Sequence, residues 1–216
     1  MAEGKYSETL RRPGFLAFFW TQFLGAFNDN FLKMVVSLVA YHATVNTTHN
    51  YYVELIAVLF ILPSAVFSGY AGHLADVFSK RSVLIAVKVF EIIIMVLALG
   101  AFLAGHLESM LALVFLMGLH AAFFSPAKYG ILPEMVPEKD LSRGNGLLEM
   151  STFVAIILGT SLSGPAFEAS GGSLPPIGVF LLIIAIIGMV TSLSIARVPP
   201  SGAAKLLRLN PFGEIY

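Results

Sequence analysis

Six long apolar stretches, separated by short polar segments, constrain this chain more than any motif it contains. A helix needs about 20 residues to cross a hydrocarbon core about 30 Å thick, and most of the stretches have about that length. We predict membrane spans at residues 15–41, 53–71, 83–103, 110–127, 147–167 and 177–196. None alternates apolar and polar residues as a membrane barrel strand would. The predicted fold is therefore an all-α membrane protein with six transmembrane helices.

The distribution of Lys and Arg predicts which side each connection occupies. Segments 42–52, 104–109 and 166–176 would share one side of the membrane, and they contain no Lys or Arg. The other side receives Lys5, Arg11, Arg12, Lys80, Arg81, Lys139, Arg143, Arg197, Lys205 and Arg208. Because cytoplasmic loops are enriched in basic residues, we predict that both ends are cytoplasmic. Residues 1–14 would form a cytoplasmic tail, 15–196 the six-helix unit and 197–216 a second cytoplasmic segment.

Composition argues against several classes of function. Hydrophobic residues make up 57% of the chain and charged residues 12%, whereas about a quarter of the residues in a soluble domain are charged. The formal net charge is zero, so no nucleic-acid partner is indicated. The chain has no cysteine, which excludes disulfides, thiolate metal sites and thiol catalysis. No metal-ligand spacing, phosphate-binding glycine loop or catalytic constellation stands out in the sequence. We therefore predict no catalytic residue, metal or cofactor, and no enzyme unless a fused acyltransferase lies beyond residue 216.

The first span is unusually polar, because it carries Gln22, Asn28, Asp29, Asn30 and Lys33. Polar groups inside a membrane are costly unless they face protein or water, so this helix should line an internal passage. Asn28 and Asn30 point to different faces, and at most one should share the environment of Asp29. Alternatively, Asp29 and Lys33 simply neutralise each other, since they are four residues apart in the favourable acid-first order.

Segment 72–81, GHLADVFSKR, follows the second span and resembles the signature of the major facilitator superfamily. The matching residues are Gly72, Leu74, Asp76, Lys80 and Arg81, while Val77 and Ser79 depart from the usual basic residue and glycine. The resemblance implies the N-terminal half of a two-half bundle of twelve helices. It also implies that Asp76 holds a cytoplasmic gate shut and that Lys80 or Arg81 orders the turn. The alternative is a solvated loop that only follows the charge rule.

Segments 25–33, GAFNDNFLK, and 123–159, which contains SPAKYGILPE and NGLLEMSTFVAIILG, resemble bacterial lysophospholipid transporters of the LplT type. The resemblance implies alternating-access transport of lysophospholipids across the bacterial inner membrane, for reacylation by a separate or fused acyltransferase. The implied partners are the lysophospholipid, membrane lipids and a second six-helix half. Residues 197–216 resemble the linker between halves, so we expect the chain to be part of a longer protein.

A carrier for such a cargo needs a few fixed charges on an apolar wall. Lys128 follows Pro126, which tends to loosen a helix, and its ammonium can meet a phosphate. Asp29, halfway along the first span, can meet an amine. The predicted substrate site is completed by Asn28, Asn30, Lys33 and Glu149. Two alternatives stay open: Lys128 snorkels to the head groups, and Glu149 pairs with Arg143.

Other polar residues of the spans are assigned to structure. Lys88 and Glu91, three apart, should pair or snorkel near the cytoplasmic end, and His120 is more often a packing residue than a proton relay. The glycines and prolines expected to let helices approach and bend are Pro126, Gly159, Gly164 and Pro165.

Other functions stay open at this point. The chain could be an efflux or small-solute carrier of the same fold, or the membrane portion of a fused transporter and acyltransferase. A non-transporting scaffold is disfavoured, because an anchor has no need for charges inside the first span.

Overall fold

The computed structural model describes residues 6–44 and 51–197, and all regular structure in these ranges is helical. Six of the helices are long and apolar enough to cross a membrane. The helices are α1 (Tyr6–Leu10), α2 (Phe15–Thr44), α3 (Tyr52–Val77), α4 (Lys80–Ala104), α5 (Leu107–Met135), α6 (Leu141–Ala169) and α7 (Pro175–Leu193), with a 3-10 turn at Glu138–Asp140. Lys5, Lys205 and Arg208, and the predicted linker beyond Arg197, lie outside the described residues.

The six predicted spans are confirmed as α2 to α7, but the ends of several helices were wrong. Helix α3 continues from residue 71 to Val77, and α5 continues from residue 127 to Met135. Hydropathy marks only the part of a helix that lies in lipid, whereas the backbone ladder continues into the polar flank. The segment predicted as a loop is therefore mostly helical. Gly72 and Asp76 lie in the last turns of α3, and the chain leaves the helix only at Phe78 and Ser79.

Helix α2 lies at the centre of the bundle. It packs chiefly against α6 and α7 and also contacts α5, while α3 packs on α5, and α4 packs on both α5 and α7. Two apolar cores result. One surrounds Phe31, Ile94 and Met117, and the other, nearer the basic ends, surrounds Phe18 and Leu84. Gln22 of α2, Lys88 and Glu91 of α4, and His120 of α5 are buried polar residues that lie between residues of these two cores along their helices.

Two glycines let helix backbones touch. A Cβ at Gly159 of α6 would lie 2.7 Å from the carbonyl oxygen of Phe27 in α2, and a Cβ at Gly118 of α5 would collide with the carbonyl of Phe60 in α3. Gly164 differs, because nothing lies within 4 Å of the Cβ it lacks. Helices α5 and α6 stay continuous through Pro126 and Pro165, respectively. The role of these two prolines in helix bending therefore stays a prediction.

The outside of the bundle is largely apolar. Large exposed side chains line α4, α6 and α7, namely Val89, Ile93, Val96, Leu97, Phe153, Ile157, Leu162, Val179, Phe180, Ile183, Ile186, Ile187 and Val190. Soluble proteins rarely expose contiguous apolar patches of this extent. Lipid tails can cover such a belt without cost, which agrees with the membrane-spanning length of these helices.

We predict that Gly159→Ala destabilises the protein and that Gly164→Ala does not. The added methyl at Gly159 must displace the α2 backbone, and overpacking of this kind typically costs about 1–3 kcal/mol. Thermal unfolding of the purified full-length protein in detergent measures the difference. Equal midpoints for the two variants would contradict the close contact between α2 and α6.

Candidate substrate site

An ion pair lies fully buried in the middle of the bundle. Lys88 Nζ is 2.6 Å from Glu91 Oε2, and both side chains are 0% exposed. Asn28 of α2 donates its side-chain N–H to Glu91 Oε1 at 3.0 Å. The ammonium fits because Gly25 and Gly188 leave space on α2 and α7, where a Cβ would lie 2.8 and 3.1 Å from Nζ. The predicted pairing is confirmed, and the alternative of snorkelling to the surface is wrong.

His120 of α5 lies between two carboxylates. Its Nε2 is 3.4 Å from Glu91 Oε2, and its Nδ1 is 3.7 Å from Asp29 Oδ1. Lys33 lies elsewhere: it donates to Asn30 Oδ1 at 3.0 Å, and its ammonium is 4.5 Å from the centre of the Phe60 ring. Asp29 and Lys33 therefore do not form a direct ion pair, because Asp29 faces α5 instead.

A cleft of about 230 Å³ opens beside this cluster, between α2, α5 and α6. Polar and apolar residues together line this cleft, namely Gln22, Gly25, Ala26, Asp29, His120, Ala121, Phe124, Ser125, Lys128, Tyr129 and Thr152. The cleft therefore combines one carboxylate, one ammonium and several apolar side chains. These are the groups that the sequence predicts for the head of a charged lipid.

Lys128 reaches across the cleft to α6. Its Nζ donates to Thr152 Oγ1 at 2.9 Å and lies 3.4 Å from Glu149 Oε1. The Tyr129 hydroxyl donates to the same Glu149 oxygen at 2.9 Å. The snorkelling alternative is wrong for Lys128, whose residue is buried, and Glu149 does not pair with Arg143. Arg143 Nη1 instead donates to Asp140 Oδ1 at 2.7 Å.

Gln22 joins α2 to α6 at the edge of the cleft. Its side-chain N–H group bonds the Leu148 carbonyl at 3.1 Å and the Ser151 hydroxyl. Its Oε1 is 2.9 Å from the Thr152 hydroxyl that accepts from Lys128. The sequence marks Gln22 only as polar, and Thr152 carries no signal at all. Their shared role depends on how two helices face each other, which spacing along the chain does not encode.

The predicted substrate residues separate into two groups. Asp29 and Lys128 line the cleft just described, and Glu149 contacts Lys128. Asn30 and Lys33 line a second cleft of about 250 Å³, between α2, α3 and α6. Asn28 lines neither of these two clefts, because it is buried against Glu91. The structure thus brings together only part of the predicted site, and it adds His120, which the sequence assigns to packing.

The basic pair of the signature segment joins helix ends. Lys80 Nζ is 2.7 Å from Glu134 Oε1 of α5. Arg81 donates from Nε to the Ile195 carbonyl at 2.8 Å and from Nη2 to the Leu193 carbonyl at 2.7 Å. A cation at this position satisfies carbonyls that the end of α7 leaves unpaired and matches the negative end of its dipole. Lys80 and Arg81 therefore connect the start of α4 to the ends of α5 and α7. The gating role of Asp76 stays a prediction.

Comparison with known sequences places the chain in a family. A family model described as Major Facilitator Superfamily matches residues 18–212, which is most of the chain. This chain belongs to the major facilitator superfamily. The fold agrees with this assignment, because its six long helices correspond to half of a major facilitator bundle.

Several curated relatives within the superfamily share the name lysophospholipid transporter LplT. The protein from Klebsiella pneumoniae is 32% identical over 217 residues, which cover 96% of this chain and 49% of the relative. The Escherichia coli protein is 33% identical over 172 residues, covering 76% and 39%, respectively. The Photorhabdus laumondii protein is 32% identical over 158 residues, covering 73% and 37%. The chain thus spans about half the length of these relatives, or less.

We predict that removing one partner of the buried pair destabilises this superfamily member strongly. Lys88→Met or Glu91→Leu leaves one uncompensated buried charge, which costs about 3–5 kcal/mol. The double variant Lys88→Met with Glu91→Leu should recover much of that loss, because no charge remains unpaired. Thermal unfolding in detergent provides the measurement. A double variant as unstable as the two single losses combined would contradict the ion pair.

We predict that water reaches the cleft from outside the bundle. The chain has no cysteine, so single cysteines can be introduced without removing any. A water-soluble maleimide should label Ser125→Cys, which lines the cleft, and Ser173→Cys, which is exposed between α6 and α7. Ser192→Cys, at a fully buried position, is the negative control. Labelling of the cleft position no faster than the buried control would contradict an open cleft.

Proposed function

We propose that the chain forms the N-terminal half of a carrier that moves lysophospholipids across the bacterial inner membrane by alternating access. The observation that carries the proposal is the cleft in which Asp29 and Lys128 share a wall with apolar side chains. A lysophospholipid head carries a phosphate and, in the ethanolamine form, an ammonium. Lys128 would bind the phosphate and Asp29 the ammonium. The name of the curated relatives supports the same cargo.

The size of the cleft indicates how such a lipid would be bound. Drug-sized ligands usually occupy pockets of about 300–1,000 Å³, so a cleft of about 230 Å³ suits a head group better than a whole lipid. The acyl chain would then extend out of the cleft, along the apolar side chains that the bundle exposes. With this placement, charged side chains are needed only around the head group. The apolar exterior of the bundle agrees with it.

The proposed orientation places both ends of the chain in the cytoplasm. Arg12, Lys80, Arg81 and Arg143 meet at one end of the bundle, where they join helix ends through Asp140, Glu134 and backbone carbonyls. An excess of basic residues is typical of the cytoplasmic side. Residues 1–14 would then be a cytoplasmic tail, and residues 197–216 a cytoplasmic linker.

The proposed partners follow from the resemblance to LplT-type transporters. A second six-helix half would cover the cleft from the opposite side, as in transporters that hold their substrate between two repeats near the bilayer midplane. Asp76 would contact that half when the cytoplasmic gate is shut. An acyltransferase, separate or fused, would consume the delivered lysophospholipid. Membrane lipids would surround the apolar exterior.

We predict that Asp29→Asn and Lys128→Gln each reduce uptake of lysophosphatidylethanolamine at least tenfold. A hydrogen bond to a charged group typically contributes about 1.5–3 kcal/mol, which is roughly tenfold to a hundredfold in binding. Uptake is measured with the labelled lipid in proteoliposomes that contain the full-length protein. Lys139→Gln, which removes an exposed charge outside the spans, is the matched control and should stay within twofold.

The same vesicles can contradict the proposal. If both cleft variants insert normally and still take up lysolipid at the wild-type rate, the cleft is not the head-group site. If small amphiphilic solutes are transported and lysolipid is not, the chain belongs to a carrier of the same fold with another cargo.

A further inference from the structure

Lys33 lies at an unusual depth in the bundle. Within the described part of the six spans, each other Lys or Arg lies in the half of its helix nearer the basic end. Lys33 lies in the far half of α2, toward the end whose connections contain no Lys or Arg. A charge inside a membrane span is costly, and such charges commonly mark the path of an ion or a substrate. The position of Lys33 therefore needs a functional reason.

The ammonium of Lys33 is held by neutral groups. Its Nζ donates to Asn30 Oδ1 at 3.0 Å and lies 4.5 Å from the centre of the Phe60 ring. It forms no ion pair with any described residue, because Asp29, one turn earlier, faces His120. An ammonium has three N–H donors, and Asn30 accepts only one of them. Both charge and donors are therefore left for an anion.

The second cleft gives this ammonium space for a ligand. Its polar lining residues are Asn30, Lys33, Ser37 and Thr160, and no acidic residue is among the described residues that line it. The first cleft, which Asp29 and Lys128 line, has a carboxylate beside its ammonium. The Thr160 hydroxyl can donate to an anion. The second cleft thus suits a negative group and lacks the carboxylate that would bind an amine.

The rest of the second cleft is apolar. Met34, Ile56, Phe60 and Ile61 line it. Ile61 is 63% exposed, and Val58 on the same helix is also exposed. A free phosphate ion would use only the polar side of this cleft. A phosphate with an attached acyl chain can contact both sides, so the lining favours a lipid.

The two clefts lie at different depths. On α6, Thr152 lines the first cleft and Thr160 the second. These residues are about two turns, or about 12 Å, apart along the helix. A phosphate oxygen binds an ammonium at about 2.7–2.9 Å, so one phosphate cannot contact Lys33 and Lys128 together. The second cleft is therefore a separate site.

We propose that the second cleft binds the phosphate of a lysophospholipid through the Lys33 ammonium, before the lipid reaches the first cleft. The order follows from position, because Val53 in the first turn of α3 lines the second cleft. That turn lies at the end of the bundle that would face away from the cytoplasm. With no carboxylate in its lining, this site binds the phosphate whatever the rest of the head group is. The inference rests on the proposed function, which supplies the lysophospholipid as cargo.

Ligand protection of single cysteines tests the site. Ser37→Cys places a thiol in the second cleft, and Ser125→Cys places one in the first. The purified full-length protein, in a non-ionic detergent that carries no phosphate, is labelled with a water-soluble maleimide. The ligands are lysophosphatidylethanolamine, lysophosphatidylglycerol, a monoacylglycerol with the same chain, and inorganic phosphate.

We expect both lysophospholipids to slow the labelling of Ser37→Cys at similar concentrations. The monoacylglycerol and inorganic phosphate should not slow it at those concentrations. Equal protection by the monoacylglycerol would mean that the cleft recognises only the acyl chain. Equal protection by inorganic phosphate would mean that it is a site for the free ion. Either result would overturn the proposal.

Charge variants separate the two clefts. Lys33→Gln should raise the lysophospholipid concentration that half-protects Ser37→Cys about tenfold or more, because a hydrogen bond to a charged group is lost. Lys33→Arg keeps the positive charge and should restore much of the protection. Lys128→Gln, in the first cleft, and the exposed control Lys139→Gln should each leave it within twofold. Unchanged protection in Lys33→Gln would contradict a phosphate site at this lysine.

The same thiols distinguish failure of this site from failure of the proposed function. If lysophospholipid protects Ser125→Cys but not Ser37→Cys, the second site is wrong and the first cleft stands. If protection of Ser37→Cys depends on Lys33 while uptake does not depend on Asp29 or Lys128, the second site stands and the first fails. Protection at neither thiol would overturn both.

Discussion

A charge can stay in the middle of a membrane protein only where another group compensates it, and the Lys88–Glu91 pair meets that constraint for the whole bundle. The pair belongs to one turn of α4, yet Asn28 binds it from α2 and Gly188 leaves space for it on α7. Three helices must therefore keep matching rotations for these contacts to form. Apolar packing alone specifies the rotation of a helix about its axis only weakly, because two apolar helix faces can pack against each other in many ways. A rotation that separates Lys88 from Glu91 would leave a buried charge uncompensated, which is strongly unfavourable.

The fixed pair also determines what the neighbouring groups can do. Glu91 is held by Asn28 and Lys88, and its Oε2 lies 3.4 Å from His120 Nε2. Asp29 differs, since its Oδ1 has no hydrogen-bond partner among the described residues and its side chain reaches the cleft. Two carboxylates on either side of one imidazole thus have different environments. The oxygens of Glu91 are held by Lys88 and Asn28, whereas Asp29 borders the cleft.

The sequence predicts the features that depend on local composition. Apolar length identifies all six long helices, and the motif around Asp76 identifies the superfamily. The spacing of Lys88 and Glu91 also predicts their pairing. The sequence does not predict which residues make contact between helices. Asp29 faces His120, far away in the chain, and Lys33 turns to another cleft, although simple spacing favours a contact between Asp29 and Lys33. Periodicity along one helix says which residues share a face, but not which helix that face meets.

The two glycine contacts have a mechanical consequence. Where Gly159 meets Phe27 and Gly118 meets Phe60, backbone lies directly against backbone, with no layer of side chains between them. A layer of side chains can change rotamers and allow helices to slide, whereas touching backbones cannot adjust in that way. Helices α2 with α6, and α3 with α5, should therefore behave as stiff pairs. In any large displacement, each of these two pairs would then move as one body.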